Sequence, residues 1–284
     1  MIKVLKKTAS WTIGIISFLF AFLPESFFSI KKWKIINSII AHNKKIDYYA
    51  LNVVFNHLLC FIMIWMLLVI VYAILLKIKW FVIIKGKNYI IKVEYGDLFK
   101  VKKSRRVINF DECFTTNVGN NPEDIKTTSI CGQYLVKNPN LNIQELISKS
   151  NIKPESIKSK YNHTKRYKSG SIIQNGNDLL LAFAPLDKDG RAKFTSRSDY
   201  ISCLSTMWEE LFKYYNQQDI SIPILGAGQT YIDINSGTSL TQQELLDIII
   251  LSYKLSPHKI KYPYKLRIIC KKCKGFSLNN IESQ

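Results

Sequence analysis

The most distinctive pattern in the chain is a run of nineteen uncharged, mostly apolar residues at positions 58–76. An α-helix of this length extends roughly 30 Å, which is the thickness of the hydrocarbon core of a bilayer. Uncharged residues extend back through Ala50, and Lys77 ends the run. The pattern therefore predicts a membrane-spanning helix over about 50–76.

A shorter apolar stretch, residues 8–23, lies near the N-terminus behind three lysines. A cleaved signal peptide has the same general form, but the end of this stretch contains no small-x-small cleavage pattern. We therefore favour a retained span over about 8–28, so that residues 1–79 form a transmembrane hairpin. The lysine-rich segment 30–47 between the spans fits either an amphipathic helix at the membrane interface or a plain basic loop.

Lysines flank both predicted spans, and those on the two outer sides slightly outnumber those of the loop between the spans. Because positive charge accumulates on the cytoplasmic side of membranes, this bias favours a cytoplasmic location for both termini and for the domain after the spans. The six cysteines are scattered rather than arranged as the disulfide framework of a secreted protein, which agrees with a reducing compartment. We therefore expect a membrane protein whose soluble domain lies in the cytoplasm.

Residues 80–284 show a different pattern, in which short β-branched and aromatic runs alternate with amphipathic segments. A hairpin turn is predicted at Asn175-Gly176, and a helix is predicted after the capping box formed by Thr241 and Glu244. Strands are predicted at 88–95, 105–110, 171–174, 178–184, 220–225 and 265–270, and further helices at 199–215 and after Asn142. This alternation predicts one α/β domain with a mixed sheet over 80–284.

The sequence is strongly basic, with 40 lysines and arginines against 21 acidic residues and a net charge of +19. The basic residues are scattered, and no recognisable nucleic-acid-binding module is present, so we expect no nucleic-acid partner. Attraction to anionic lipid headgroups accounts for such a charge in a membrane-bound domain.

Cys270 and Cys273 form a single Cys-x-x-Cys pair near the C-terminus. A structural zinc site needs four ligands, and no second pair with suitable spacing is present in the sequence. We therefore expect two free thiols at the end of a strand, and no metal.

Two predicted turns at strand ends carry residues that suit a ligand. Asp97 follows the strand 88–95, and a carboxylate there can accept a hydrogen bond from an exocyclic amine such as that of adenine. An aspartate that only closes a turn, without a ligand, would give the same Gly-Asp sequence.

Residues 225–230, Leu-Gly-Ala-Gly-Gln-Thr, follow from the apolar strand 220–225. Glycines in such a loop let backbone N–H groups approach phosphate oxygens, although a tight turn without a ligand uses them equally. In open α/β sheets, ligands bind at the carboxyl ends of strands, where both turns are placed.

A strand that ends in Gly-Asp, a second strand that ends near Asn109 and a late apolar strand that feeds a glycine-rich loop together resemble the macro domain. That family is a three-layer α/β/α module that binds ADP-ribose and related nucleotides, and the resemblance covers about residues 88–270. It implies that Asp97 contacts adenine, that the loop at Gly226 wraps the diphosphate and distal ribose, and that segment 128–133 supplies another ligand-binding loop. The residues then placed at the ligand are Asp97, Leu98, Asn109, Ser129, Cys131, Gly132, Leu225, Gly226, Ala227, Gly228, Gln229 and Thr230. The resemblance implies no metal or additional cofactor.

One departure from the family bears on catalysis. Macro domains that hydrolyse ADP-ribose adducts typically carry an Asn-Ala-Ala-Asn run after the second strand, where this chain has Asn109-Phe110-Asp111-Glu112. Asp111 and Glu112 are carboxylates that can in principle act as a base, but no orienting histidine or metal cluster accompanies them in the sequence. We therefore favour a binding domain over a hydrolase.

Two spans followed by a divergent macro domain are similar to the membrane effectors of type II Thoeris anti-phage systems. In these systems a partner TIR-domain enzyme makes an ADP-ribose-based signal on infection, the macro domain senses it, and the spans damage the membrane. For this chain the resemblance implies an ADP-ribose-derived messenger, a TIR enzyme as functional partner, contact with membrane lipid, homo-oligomerisation and abortive infection. Two alternatives stay open: a membrane-bound ADP-ribosyl hydrolase, and a channel or scaffold that is indifferent to nucleotides.

Overall fold

The computed structural model describes residues 10–18, 48–77, 79–121, 123–228, 230–232 and 240–281. The chain divides into two compact units, Met1–Lys79 and Trp80–Gln284. Apart from Lys79, the described part of the first unit is helical, and the strands of the described chain lie in the second unit.

In the first unit, helix α1 spans Tyr48–Lys77 and includes a stretch, His57–Ile74, that is long and apolar enough to cross a membrane. Within the described ranges it is the one helix that meets this test of length and composition. The stretch 10–18 is also helical, and the ring of Trp11 meets that of Tyr72 edge-on, with 6.0 Å between their centroids. The remainder of the predicted first span, and the lysine-rich segment after it, lie outside the described residues, so the two-span hairpin stays a prediction.

The second unit is built on a seven-stranded mixed sheet. Its strands are β1 (Phe81–Lys85), β2 (Ile90–Tyr95), β3 (Ser104–Asp111), β4 (Ile172–Asn175), β5 (Asp178–Ala184), β7 (Asp219–Pro223) and β9 (Leu266–Cys270); β6 (Lys193–Phe194) and β8 (Tyr231–Ile232) form a separate parallel pair. The order across the sheet is β1-β2-β9-β7-β3-β5-β4. The five central strands run parallel to one another, whereas β1 and β4 pair antiparallel at the two edges.

Helices cover both faces of this sheet. They are α2 (Ile130–Lys137), α3 (Ile143–Lys149), α4 (Arg197–Tyr214) and α5 (Gln242–Leu255). Successive residues of β5 alternate between two cores: Leu179 and Leu181 belong to the core with α4 and α5, whereas Leu180 and Ala182 belong to the core with α2 and α3. Because both faces are covered, the central strands are continuous apolar runs rather than alternating ones. The result is a three-layer α/β/α domain with a mixed sheet.

Two local predictions are confirmed by the structure. Strands β4 and β5 form the predicted hairpin, with Asn175 opposite Asp178 and Gly176 at a φ of +57° in the turn. The capping box at the start of α5 is complete, because Thr241 Oγ1 accepts the backbone N–H of Glu244 at 3.2 Å while the Glu244 carboxylate accepts that of Thr241 at 2.8 Å. Such a cap stabilises the helix because it satisfies backbone N–H groups that have no partner within the first turn.

Strand β1 and helix α2 are not predicted by the sequence pattern. β1 begins four residues after the end of α1, so its apolar residues continue the apolar composition of the predicted span. In α2, the residues 130–133 are helical, which corrects the prediction that segment 128–133 is a loop. The helix forms there because Ser129 caps it, accepting the N–H of Gly132 at 3.0 Å.

Candidate functional site

A cleft of about 1060 Å³ opens in the second unit at the carboxyl ends of the parallel strands. Asp97 after β2, Asp111 at the end of β3, Leu186 after β5, Gly226 after β7 and Lys271 after β9 all line it. This edge of an open α/β sheet is where ligands bind. The volume suits a nucleotide-sized ligand, since small-molecule sites commonly enclose about 300–1,000 Å³.

Asp97 lies at the exit of β2 and begins a short 3-10 turn, Leu98–Lys100. One of its carboxylate oxygens accepts the backbone N–H of Phe99 at 2.9 Å, which orients the side chain at the cleft. The Leu98 side chain is buried in the core formed with α2, although the residue still borders the cleft. Phe99, which the sequence did not single out, also lines the cleft, and the Lys137 ammonium lies 4.0 Å from its ring centroid.

The glycine-rich loop follows β7 on the other side of β9. Gly226, Ala227, Gly228 and Thr230 line the cleft, and the N–H of Ala227 donates to the Ile224 carbonyl at 3.3 Å in a tight turn. Gly226 has a φ of +85°, and a Cβ at this position would come within 2.9 Å of Ile232 Cδ1. Both the backbone conformation and the close approach therefore favour glycine at position 226.

Leu225 and Gln229 differ from the other predicted loop residues. The Leu225 side chain is 1% exposed in the core and does not line the cleft, and its carbonyl accepts the Tyr200 hydroxyl at 3.0 Å. Leu225 was expected at the ligand. In the structure its side chain packs in the core and holds the start of the loop in place, because an apolar side chain at the end of a buried strand points into the core. Gln229 lies outside the described residues.

The third predicted group lies at the N-terminus of α2. Ser129 and Cys131 line the cleft, but Gly132 does not. A Cβ at Gly132 would overlap the carbonyl oxygen of Lys126, so the glycine allows the helix to pack against the preceding turn. Its position is thus explained by packing rather than by direct contact with the cleft.

Asn109 and Asp111 project from the end of β3 at the cleft. Asn109 Oδ1 is buried and accepts no hydrogen bond from the residues that the structure describes. Asp111 accepts the backbone N–H of Cys113 at 2.8 Å and the hydroxyl of Thr115. Burial raises the pKa of Asp111, and these hydrogen bonds offset part of the shift.

Glu112 points away from the cleft, although it neighbours Asp111 in sequence. Its side chain is buried, and Oε1 accepts the Ser159 hydroxyl at 2.6 Å and the N–H of Leu186 at 3.2 Å. The Arg166 guanidinium lies 3.6 Å from the other oxygen. Through these contacts Glu112 holds the polar segment 150–170 against the sheet, which is a structural role.

Burial raises the pKa of two thiols at the strand-end edge of the sheet, those of Cys131 and Cys270. Burial raises the pKa of Cys131 well above its ordinary value, and the nearby Asp111 charge adds to the shift. Cys270 is buried at the end of β9, where burial raises its pKa to about 12, and the exposed Cys273 Sγ lies 2.7 Å from Gln242 Oε1. Among the described residues, no group of three or more His, Cys, Asp or Glu side chains is placed to hold a metal ion.

The positively charged side chains that border the cleft differ in whether they already have a partner in the described chain. Lys126 Nζ donates to the carbonyls of Asn120 and Asn121 at 2.8 and 2.7 Å, so its ammonium is already bound. Arg191 and Lys271 line the cleft without an ion pair to any residue in the described ranges. Arg191 belongs to no sequence motif. Lys271 lies inside the Cys270-x-x-Cys273 pair, but that motif draws attention to the thiols, and the only signal for the lysine itself was its position directly after an apolar strand.

Comparisons with known proteins address the identity of this domain. A family model described as "Thoeris protein ThsA, Macro domain" matches residues 91–271. The Thoeris protein ThsA of Bacillus amyloliquefaciens (strain Y2) is 28% identical over 189 residues, which are 63% of this chain and 61% of that protein, so the chain spans about three-fifths of the relative's length.

Two solved structures are also similar. The Oceanobacillus iheyensis macrodomain with ADP is 10% identical at a TM-score of 0.39, covering 68% of this chain and 88% of that one. The macrodomain of Thermus aquaticus DarG is 12% identical at a TM-score of 0.36, covering 64% and 98%. The family match, which extends over more than half of the chain, confirms the resemblance to macro domains. The chain belongs to the Thoeris ThsA macro-domain family.

Proposed function

We propose that this chain is an anti-phage defence effector whose macro domain binds an ADP-ribose-derived signal. The observation that carries the proposal is the arrangement of the cleft in a ThsA-family domain. The exit of β2 at Asp97 and the glycine loop at Gly226 border one cleft from two sides, with the end of β9 between them. The loop supplies backbone N–H groups suited to phosphate oxygens, and the Asp97 carboxylate retains an oxygen suited to an exocyclic amine.

The proposed ligand-binding step is tested by calorimetry on the full chain in detergent micelles, with ADP-ribose, NAD and the products of a TIR-domain enzyme as ligands. Binding of an ADP-ribose derivative that is weakened by Asp97→Ala supports the proposal. Absence of binding for every one of these ligands overturns it. Asp124→Ala is the comparison variant. Asp124 also lines the cleft, and its carboxylate accepts the backbone N–H of Asn121 in a local turn, as that of Asp97 accepts the N–H of Phe99.

In the proposed mechanism the domain senses the ligand and does not turn it over. Asp111 is the one carboxylate of the sequence pair 111–112 that reaches the cleft, and its hydrogen bonds with the turn 113–115 occupy it. The Cys131 thiol is neutral, which makes it a poor nucleophile. Release of ADP-ribose from an ADP-ribosylated protein by the wild-type chain, abolished in Asp111→Asn, would instead favour the hydrolase alternative.

The proposed output is oligomerisation in the membrane followed by loss of its barrier. A ligand shifts such an equilibrium only if it binds the assembled state more tightly than the unassembled one. The test is dye release from vesicles that contain the full chain, with and without the bound ligand, alongside its oligomeric state in micelles. Release that depends on the ligand supports the proposal, whereas release of equal rate without ligand favours the nucleotide-independent channel.

The proposed location is the bacterial inner membrane, with the macro domain in the cytoplasm beside the TIR enzyme that makes the signal. Cys273 is exposed and offers a site for labelling. A membrane-impermeant maleimide is expected to label Cys273 in permeabilised cells and not in intact spheroplasts. Labelling in intact spheroplasts would place the domain outside.

A further inference from the structure

We propose that Lys271 binds a phosphate group of the ligand at the centre of the cleft, an inference that rests on the proposed function. Strand β9 lies between β2 and β7 in the sheet. Tyr95 is opposite Cys270 on one side, and Pro223 is opposite Ile269 on the other. The residue after β9 is therefore placed between the turn at Asp97 and the glycine loop.

The backbone of Lys271 is held from both sides. The N–H of Gly96 donates to the Cys270 carbonyl at 3.0 Å, which ties the end of β9 to the turn before Asp97. On the other side, Gln242 Nε2, from the first turn of α5, donates to the Lys271 carbonyl at 3.3 Å. The Cα of Lys271 is thus fixed while its four-carbon side chain stays free to reach a ligand.

The charge on Lys271 is available, whereas most charges around the cleft are already engaged. Its side chain is exposed, lines the cleft, and makes no ion pair with the residues that the structure describes. Lys126 is bound to backbone carbonyls, and three cleft carboxylates accept local backbone N–H groups: Asp97, Asp111 and Asp124. A flexible, uncommitted ammonium in a cleft is suited to a phosphate, which it binds as a point charge.

The geometry of the ligand supplies the remaining step. A nucleotide that has its base at Asp97 and that also reaches the Gly226 loop, as in the proposed function, must cross the end of β9 between them. In an ADP-ribose derivative, the diphosphate is the part that joins the adenosine to the distal ribose. Lys271 thus lies where the ligand carries its negative charge, and it adds a cation to the backbone N–H groups of the glycine loop.

The test compares the full chain in detergent micelles with Lys271→Ala, Lys271→Arg and Lys272→Ala. Lys272 is a matched control, because its ammonium lies over the rings of Trp80 and Tyr95, 4.5 and 5.4 Å from their centroids, and it does not line the cleft. Calorimetry measures the affinity for ADP-ribose at low and high ionic strength. Ligand-detected NMR measures the binding of adenosine, which carries no phosphate. Thermal unfolding establishes that each variant is folded.

Lys271→Ala is expected to weaken ADP-ribose binding about tenfold, on the order of a single charge-assisted contact. Lys271→Arg and Lys272→Ala are expected to stay within about twofold of wild type, and adenosine binding is expected to be unchanged in all variants. The difference in ADP-ribose affinity between wild type and Lys271→Ala should become smaller at high salt, because screening weakens an exposed charge pair. Unchanged ADP-ribose affinity in Lys271→Ala, or an equal loss for adenosine, overturns the inference while the proposed function stands. No ADP-ribose binding by the wild-type chain overturns both.

Discussion

The Tyr200 hydroxyl donates a hydrogen bond of 3.0 Å to the carbonyl oxygen of Leu225, one residue before the glycine that opens the loop of the cleft. Tyr200 lies on α4 and is fully buried, with its ring edge-on to those of Phe183 and Phe194. Burial raises the pKa of Tyr200, so the hydroxyl stays protonated and able to donate. The helix layer thus fixes the position at which the glycine loop leaves the sheet.

Tyr200→Phe is expected to lower both stability and ligand affinity. It keeps the ring contacts but leaves the Leu225 carbonyl buried without its donor, which costs about 1–3 kcal/mol of unfolding free energy. Because that carbonyl anchors the loop, ADP-ribose affinity should fall by roughly threefold to tenfold, or about 0.7–1.4 kcal/mol. Chemical denaturation and calorimetry measure the two effects.

Tyr253→Phe is the matched control for this substitution. Tyr253 is also buried, and its hydroxyl oxygen accepts the N–H of Ile260 at 2.8 Å, at a site that does not line the cleft. We expect a similar loss of stability with unchanged affinity. Equal loss of affinity in both variants would mean that the effect of Tyr200 is global.

Gly226→Ala is expected to destabilise the domain where Gly228→Ala does not. At a φ of +85° a residue with a Cβ carries strain of about 1–3 kcal/mol, and the new methyl group also meets Ile232. At Gly228 an added Cβ has no heavy atom of the described chain within 4 Å, so stability should change by less than about 0.5 kcal/mol. Thermal unfolding separates the two, and equal melting temperatures would contradict the importance of the left-handed conformation at Gly226.

The sheet could be read from the sequence more completely than the site. β5 and β7 are apolar because both of their faces are covered, so their composition alone marks them as central strands. The N-terminus of α2 could not be read in this way. Its Ile130-Cys131-Gly132 run has poor helix propensity, and the helix depends on the Ser129 cap and on the close approach of Gly132 to Lys126.

The residues of the cleft also divide into those that the sequence could indicate and those that it could not. Asp97 and Gly226 each stand in a local motif at the end of a strand, and such motifs are visible in a sequence. Phe99, Arg191 and Lys271 belong to no ligand-binding motif, and they line one cleft only because strands that are distant in the chain end at one edge of the sheet. Leu225 shows the opposite case: it belongs to the glycine-rich motif, but its side chain lies in the core and does not line the cleft.

Asp111→Asn is expected to change the pH dependence of stability in a defined direction. The pKa of Asp111 is raised by burial, so the folded state holds its proton more tightly than the unfolded state does. The contribution of Asp111 to the stability of the wild-type chain therefore falls as the pH rises from about 4 through the raised pKa, by about 1.4 kcal/mol for each unit by which the pKa is raised. The asparagine side chain of the variant cannot ionise, so the unfolding free energy of the variant minus that of wild type should increase with pH over this window.

Glu145→Gln is a control of opposite sign for that experiment. The hydrogen bond and charge of Lys149 lower the pKa of Glu145 on α3, so its contribution is present above its unfolded pKa and is lost as the pH falls. The variant minus wild-type difference should therefore become slightly more negative as the pH rises. A difference for Asp111→Asn that is flat or falls with pH would contradict the assignment of a raised pKa.

Glu112→Gln tests whether this carboxylate is structural, as its contacts indicate, or belongs to the ligand site. The glutamine amide of the variant can still accept hydrogen bonds from Ser159 and Leu186, but the negative charge that faces Arg166 is lost. Hydrogen bonds to a charged group contribute about 1.5–3 kcal/mol, so we expect a loss of that order in unfolding free energy. ADP-ribose affinity should stay unchanged, because Glu112 does not line the cleft.

Glu155→Gln is the control. It changes only the more exposed partner of Arg166, at 2.7 Å, and should lower the unfolding free energy by less than about 1 kcal/mol. Denaturation and calorimetry on both variants decide the matter: a loss of binding in Glu112→Gln with normal stability would place Glu112 in the ligand site, and would require a cleft conformation different from the one described.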